Sequence, residues 1–217
     1  MTTAPLLHDE PFTEVFAAAL RGVPCDVIGL GPDPSPLPVA HWTRIADTSD
    51  RAVLAHCQGA TLDIGCGPGR MSAHLAELGR GVLGIDVVPE AVEQTRARGV
   101  TALQRDVYSP IPGEGRWETV LLADGNIGIG GDPVRLLRRV HQLLAPRGRV
   151  VVDLAPYGLG IQTASVMLRT ERQSSRPFAW TVVGAEKIGT LAVAAGLTVL
   201  GTHEYAGRWF AVLGKEG

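Results

Sequence analysis

Cysteine is scarce in this 217-residue chain, and Cys25, Cys57 and Cys66 are odd in number and scattered. That excludes a disulfide framework and any zinc-type ligand spacing, and it suits a reducing, cytoplasmic setting. Long apolar runs are missing too. No stretch of about eighteen apolar residues occurs, so no membrane span is expected, and the opening residues Met1 to Glu10 lack the charged start and apolar core of a signal peptide. Charge of one sign is not concentrated anywhere. With a net charge of -2 and no block of lysine or arginine, the sequence carries no electrostatic footprint for nucleic acid or an anionic membrane. Lysine is nearly absent from the 20 basic residues, which reads as genome composition rather than chemistry. What remains is 45% apolar, enough for one well-filled core and too short for two ordinary domains with a linker. A single domain over 1–217 is expected.

The most informative segment is Thr61 to Arg70, Thr-Leu-Asp-Ile-Gly-Cys-Gly-Pro-Gly-Arg. A short apolar strand holding a carboxylate runs into a glycine-rich turn that opens a helix. Gly65, Gly67 and Gly69 allow backbone conformations barred to other residues and let a ligand approach bare amides at a helix N-terminus. A dinucleotide fingerprint, G-x-G-x-x-G/A, would need a small residue at position 70. Arg70 stands there instead, and the pattern is D-x-G-x-G-x-G. About twenty residues past the first glycine, the strand-like run Gly81 to Ile85 ends in Asp86, where a carboxylate can accept both hydroxyls of a ribose. A further acid, Asp106, lies in Gln-Arg-Asp-Val.

The motif Asp63-x-Gly65-x-Gly67-x-Gly69, followed by Asp86 and Asp106, resembles the class I S-adenosylmethionine (SAM) dependent methyltransferases. The resemblance covers roughly residues 55–217. It implies SAM as cofactor, with S-adenosylhomocysteine as product. It further implies a cofactor site built from Asp63, Gly65, Cys66, Gly67, Gly69, Asp86, Val87, Asp106, Val107, Asp124 and Asn126, with Asp106 facing the adenine amino group. Cys66 reads as a small packing residue, because a catalytic thiol needs a partner base and none is placed by sequence.

Strand and helix signals alternate along the chain. Pro11 to Gly22 reads as a short amphipathic helix, and Pro24 to Pro38 is too rich in proline and glycine for a regular element. Asp47 to Cys57 reads as a second helix. Met71, Leu75 and Leu78 lay one apolar stripe against a sheet. Glu118 to Asp124 is a fourth strand, Asp132-Pro133 starts a helix running to Leu144, and Arg149 to Leu154 is a buried parallel strand. After a helix near Ala185 to Ala195, Leu197 to His203 and Arg208 to Leu213 read as an antiparallel hairpin. The expected fold is α/β: a Rossmann-like, doubly wound, mostly parallel seven-stranded sheet with helices on both faces and a C-terminal antiparallel hairpin. Residues 1–45 are expected to form an N-terminal helix and lid, and 46–217 the cofactor-binding core. Within that core, 155–183 is expected either to cover the acceptor or to be a surface loop with a small packing helix.

Methyl transfer from a sulfonium needs positioning and at most one base, which makes catalytic residues hard to read. Asp124 and Asn126 follow the fourth strand at the crevice edge and are expected beside the methionine part of the cofactor or the acceptor, or as caps of a glycine turn. His41, Asp124 and Tyr157 are the catalytic candidates, with His203 a further histidine able to serve as base. Asp124-Gly125-Asn126-Ile127 lacks the D/N-P-P-Y/F tetrapeptide of members that methylate base amines or glutamine. Asp124 and Asp153 align with two metal ligands of catechol-type members, but Leu154 stands where asparagine is expected, and no metal is assigned. The expected partner is a small-molecule acceptor, at an oxygen or nitrogen atom, with neither nucleic acid nor membrane. Two alternatives stay open from sequence: an NAD(P)-dependent oxidoreductase or epimerase, and a SAM-binding protein with a regulatory or non-methylating role.

Overall fold

A computed structural model of the chain describes residues 8–216. In chain order the elements are β1 (His8–Glu10), α1 (Phe12–Leu20), β2 (Asp26–Ile28), β3 (Ser35–Pro36), α2 (Val39–Thr43), α3 (Thr48–Leu54) and β4 (Thr61–Ile64). There follow α4 (Arg70–Glu77), β5 (Val82–Asp86), α5 (Pro89–Ala97), β6 (Ala102–Gln104), β7 (Trp117–Leu122), α6 (Pro133–Leu143) and β8 (Leu144–Leu154). The chain closes with β9 (Ile161–Arg169), β10 (Gln173–Ser175), β11 (Phe178–Val183), α7 (Ile188–Ala194), β12 (Thr198–Tyr205) and β13 (Arg208–Gly214).

Seven strands form the central sheet in the order β12-β13-β8-β7-β4-β5-β6. Strands β6, β5, β4, β7 and β8 run parallel, while β13 is antiparallel to both β8 and β12. The apolar runs expected of strands covered on both faces sort by the period of two. Val120 and Leu122 of β7, with Val150 and Val152 of β8, pack toward α6 and α7 on Leu136, Leu137, Val140 and Leu191. Leu121, Ala123 and Val151 point the other way, onto Val53 and Leu54 of α3 and Met71 and Leu75 of α4. Burying each such side chain contributes about 1.5–3 kcal/mol, so these two layers hold the sheet between its helices.

Helix starts follow local chemistry. Asp47 caps α3 in a reciprocal box with Asp50, each side chain accepting the other's backbone N–H at 2.9 Å. Asp132 accepts from the backbone N–H of Arg135 at 2.9 Å, with Pro133 in the first turn of α6.

Three sequence expectations are corrected. Leu78, expected in the apolar stripe of α4, caps the end of that helix and is exposed, so only Met71 and Leu75 face the sheet. The segment 24–38 does hold regular structure, because β2 and β3 pair with each other and Pro36 sits on an edge, where its missing N–H costs nothing. The segment 155–183 is neither loop nor small helix. It folds into β9, β10 and β11, and it builds a second sheet with the N-terminal strands: β1 pairs with β10, and β9 pairs with β2, β10 and β11. Single bridges, Ile129 to Trp180 and Ala155 to Gly184, tie this sheet to the central one.

Candidate cofactor and acceptor site

The turn after β4 shows why its three glycines differ in role. A Cβ on Gly65 would lie 2.7 Å from Nδ2 of Asn126, and one on Gly69 would lie 2.7 Å from Oγ1 and 2.9 Å from Cα of Thr95. Those two glycines let the turn pack against β7's exit and against α5. At Gly67 a Cβ would meet nothing within 4 Å, and its φ is +53°. It faces open space in a left-handed conformation that glycine adopts without strain. Cys66 is packing, as read from sequence: its Sγ sits where a Cβ on Gly84 would come within 2.9 Å, and burial pushes its thiol pKa up.

Asp86, at the end of β5, accepts backbone N–H groups from Gly67 at 3.0 Å and from Val88 at 2.9 Å. Both carboxylate oxygens are thereby fixed at the mouth of the turn. Burial raises the Asp86 pKa, and the backbone donors oppose the rise. Asp63 lies deeper. It is fully buried, accepts from Ser72 Oγ at 2.6 Å, and is pushed up to about 7 by burial, against the Ser72 hydrogen bond. Asp106, past β6, accepts from the backbone N–H of Tyr108 at 2.9 Å and is exposed. Asn126 donates through Nδ2 to the carbonyls of Ile64 and Gly65, at 2.8 and 2.9 Å, so its amide holds the glycine turn in place.

These residues share one cavity of about 590 Å³. Asp63, Gly65, Cys66, Gly67, Asp86, Val87, Asp106, Val107, Asp124 and Asn126 all line it; Gly69, packed on Thr95, does not. Open space at Gly67, the carboxylate of Asp86 past the turn and an acid beyond β6 are the features a SAM nucleoside needs, and the donor set fits that group.

Asp124 joins a cluster the sequence reading missed. Its φ is +52°, its backbone N–H donates to Asp153 at 2.7 Å, and its carboxylate meets Arg70 at 2.5 Å and Arg208 at 3.3 Å. Arg208 also pairs with Asp153 and, at 2.5 Å, with Asp50. Asp50 is fully buried among three guanidinium groups, those of Arg44, Arg70 and Arg208. Arg70, noted from sequence only as a departure from the dinucleotide fingerprint, therefore ties the cofactor turn to α3 and to the strand ends. Asp124 and Asp153 are held together by a guanidinium.

The remaining candidates lie elsewhere. His41 lines a second, more open hollow of about 620 Å³ with Arg44, Asp124, Asp153, Arg208 and Trp209, and burial and neighbouring arginines lower its pKa. Tyr157 is exposed and packs edge-on against Trp209 with ring centroids 4.7 Å apart. His203 stacks on Phe210 at 5.1 Å. Of the catalytic candidates, only Asp124 borders the cofactor cavity.

Opposite the polar groups the cavity is walled by Phe12, Phe16, Trp42, Phe178 and Trp180. No motif announces these residues. The available signal was that aromatics make up only 5% of the chain while several fall in the two segments outside the core pattern.

Residues 61–148 match a family model described as a methyltransferase domain. A ubiquinone biosynthesis O-methyltransferase from Xanthomonas euvesicatoria pv. vesicatoria (strain 85-10) is 31% identical over 179 residues, which cover 78% of this chain and 64% of that relative. The chain thus spans a little under two thirds of that protein's length. Among solved structures, a SAM-dependent methyltransferase from Bacteroides fragilis, in complex with S-adenosyl-L-homocysteine, superposes with a TM-score of 0.80 at 22% identity over 100% of both chains. A sugar N-methyltransferase from Streptoalloteichus sp ATCC 53650 gives a TM-score of 0.63 at 18% identity, covering 100% of this chain and 99% of that one. At these identities the structural likeness speaks to the fold, and that fold is the one the glycine turn and the terminal hairpin pointed to.

Proposed function

We infer that this chain, which belongs to the class I SAM-dependent methyltransferases, transfers the methyl group of SAM to an oxygen or nitrogen atom of a small-molecule acceptor. One observation carries the reading. The glycine turn after β4, Asp86 after β5 and Asp106 after β6 border a single cavity that continues into an apolar chamber.

When bound, SAM supplies a methyl group on a positively charged sulfur, already activated toward a nucleophile. The protein's own residues then have a positioning task. The bare backbone at Gly67 gives the cofactor close approach, Asp86 receives the ribose hydroxyls, and Asp106 faces the adenine amino group. Val87 and Val107 pack the nucleoside. Asp63, Asp124 and Asn126 shape the methionine end, where Asn126 fixes the turn and Asp124 is held by Arg70 and Arg208. Residues 8–45 of the N-terminal segment and the segment 155–183 cover the acceptor; the first seven residues of the expected lid lie outside the described residues. All three cysteines are free and buried, which supports a reducing compartment, the cytoplasm. No helix among the described residues is long and apolar enough to cross a membrane. The lack of a basic block favours a small molecule over nucleic acid as acceptor.

The test is incubation with methyl-labelled SAM and pools of phenols, amines and heterocycles, following S-adenosylhomocysteine and label together. Acceptor-dependent formation of both supports methyl transfer. SAM binding without transfer to any pool would instead favour a regulatory or non-methylating role.

A further inference from the structure

The apolar end of the cavity has a construction of its own. Phe12 and Phe16 stand four residues apart on α1, on one face of the helix. Phe178 and Trp180 stand two apart on β11, on one face of the strand. Trp42 comes from α2. The rings form a connected wall: Phe178 to Phe12 at 4.7 Å between centroids, Phe12 to Phe16 at 5.3 Å, and Phe16 to Trp42 at 5.7 Å. Val15 is buried in the same layer, and Val27, Val166 and Leu168, also buried, line the cavity beside the rings, whereas the five rings keep part of their surface open.

That is a concentration. The chain has four phenylalanines and four tryptophans, and five of those eight line this one cavity. The wall also sits next to the cofactor turn. β11 presses on the loop after β7 so closely that a Cβ on Gly128 would come within 2.2 Å of the Thr181 carbonyl and 2.9 Å of the Trp180 ring. Two residues earlier, Asn126 holds the carbonyl of Gly65.

Chemistry then limits what fits. The ionisable side chains bordering the cavity are Asp63, Cys66, Arg70, Asp86, Arg105, Asp106, Tyr108 and Asp124, all of them on the central-sheet side. The wall contributed by α1, α2 and the second sheet contains none. A charged acceptor would lose its hydration there without a partner, and a polyhydroxylated sugar would leave several hydroxyls unpaired. Flat apolar rings, by contrast, gain offset or edge contacts with aromatic side chains beyond the area they bury.

We propose that the acceptor is a planar, uncharged, predominantly apolar ring compound, held against the Phe12–Phe16–Phe178–Trp180 wall with its nucleophilic atom turned to the cofactor turn. This rests on the methyltransferase reading above and narrows its substrate class.

The test uses the whole chain loaded with S-adenosylhomocysteine and titrated with 2-naphthol and with glucosamine, by calorimetry and equilibrium dialysis. We expect 2-naphthol to bind at least tenfold more tightly than glucosamine. Phe178→Ser and, separately, Phe16→Ser should each weaken 2-naphthol binding about tenfold while changing S-adenosylhomocysteine affinity less than twofold. Two variants from different elements guard against one failing to fold. Absence of 2-naphthol binding, glucosamine binding as tightly, or 2-naphthol binding unchanged in both variants would overturn the proposal. Failure of S-adenosylhomocysteine to bind would instead count against the cofactor reading, and titrating 2-naphthol into the unliganded protein would still decide this one.

Discussion

Replacing Asp63 with asparagine should stabilise the protein, and more so as pH rises. The carboxyl is fully buried under the glycine turn with Ser72 Oγ as its hydrogen-bond donor, and burial lifts its pKa from an ordinary 3.8 to about 7. Because the folded-state value lies above the unfolded one, the folded protein binds the extra proton between pH 4 and 7. Stability from this group is therefore fully present below pH 4 and is lost as pH climbs to 7. Three pK units at 1.36 kcal/mol each give a swing of ~4 kcal/mol over the window, of which roughly 2.5 kcal/mol falls between pH 5 and pH 8. Asparagine keeps the shape and still accepts from Ser72, but it has no charge to bury. Urea unfolding of wild type and Asp63→Asn at pH 5, 6, 7 and 8 should show the variant gaining on wild type by about 2–3 kcal/mol across the series. A difference that stays constant with pH, or one that shrinks as pH rises, would mean that folding does not raise the Asp63 pKa.

Other substitutions probe the cofactor site, the ion cluster and the seat of β11. Asp86→Ala removes the carboxylate assigned to the ribose and should weaken SAM binding about 10- to 100-fold by calorimetry, from the ~1.5–3 kcal/mol of hydrogen bonds to a charged group; unchanged affinity would void the assignment. Asp50→Ala strips the buried anion shared by Arg44, Arg70 and Arg208 and should cost about 3–5 kcal/mol in chemical denaturation, with a loss under ~1 kcal/mol contradicting the cluster's structural role. Gly128→Ala drives a Cβ to 2.2 Å from the Thr181 carbonyl and should lower the melting temperature by several degrees, at about 1–3 kcal/mol. A melting curve identical to wild type would mean that β11 is not seated on that loop.

The central sheet was legible because its signals are local and periodic. Val150 to Val152 reads as a strand covered on both faces, Asp132-Pro133 as a helix start, and Asp63 to Gly69 as a turn whose glycines answer to steric demands. Each of those inferences needs only neighbours in sequence. The second sheet was not legible. Asp26–Ile28 and Ser35–Pro36 are too short and too proline-rich to announce strands; Asp26–Ile28 becomes a strand by pairing with β9, more than 130 residues along the chain, and Ser35–Pro36 by pairing with Asp26–Ile28. The same separation hid the ion cluster. Asp50, Arg70, Asp124, Asp153 and Arg208 are spread over more than 150 residues of sequence, and only the strand ends bring them together. Side-chain chemistry alone points to His41 and Tyr157 as bases; neither lines the cofactor cavity, and His41 borders the neighbouring hollow that shares Asp124 with it.

The cofactor's identity is decided by calorimetric and thermal-shift titration of the purified chain with SAM, S-adenosylhomocysteine, NAD and NADP side by side. At about 100 times its dissociation constant, a ligand adds roughly 2.7 kcal/mol and should raise the melting temperature of a chain this size by about 5–10 °C. That rise is expected with the two sulfur nucleosides and not with the nicotinamide dinucleotides. A shift with NAD or NADP alone would overturn the assignment of SAM.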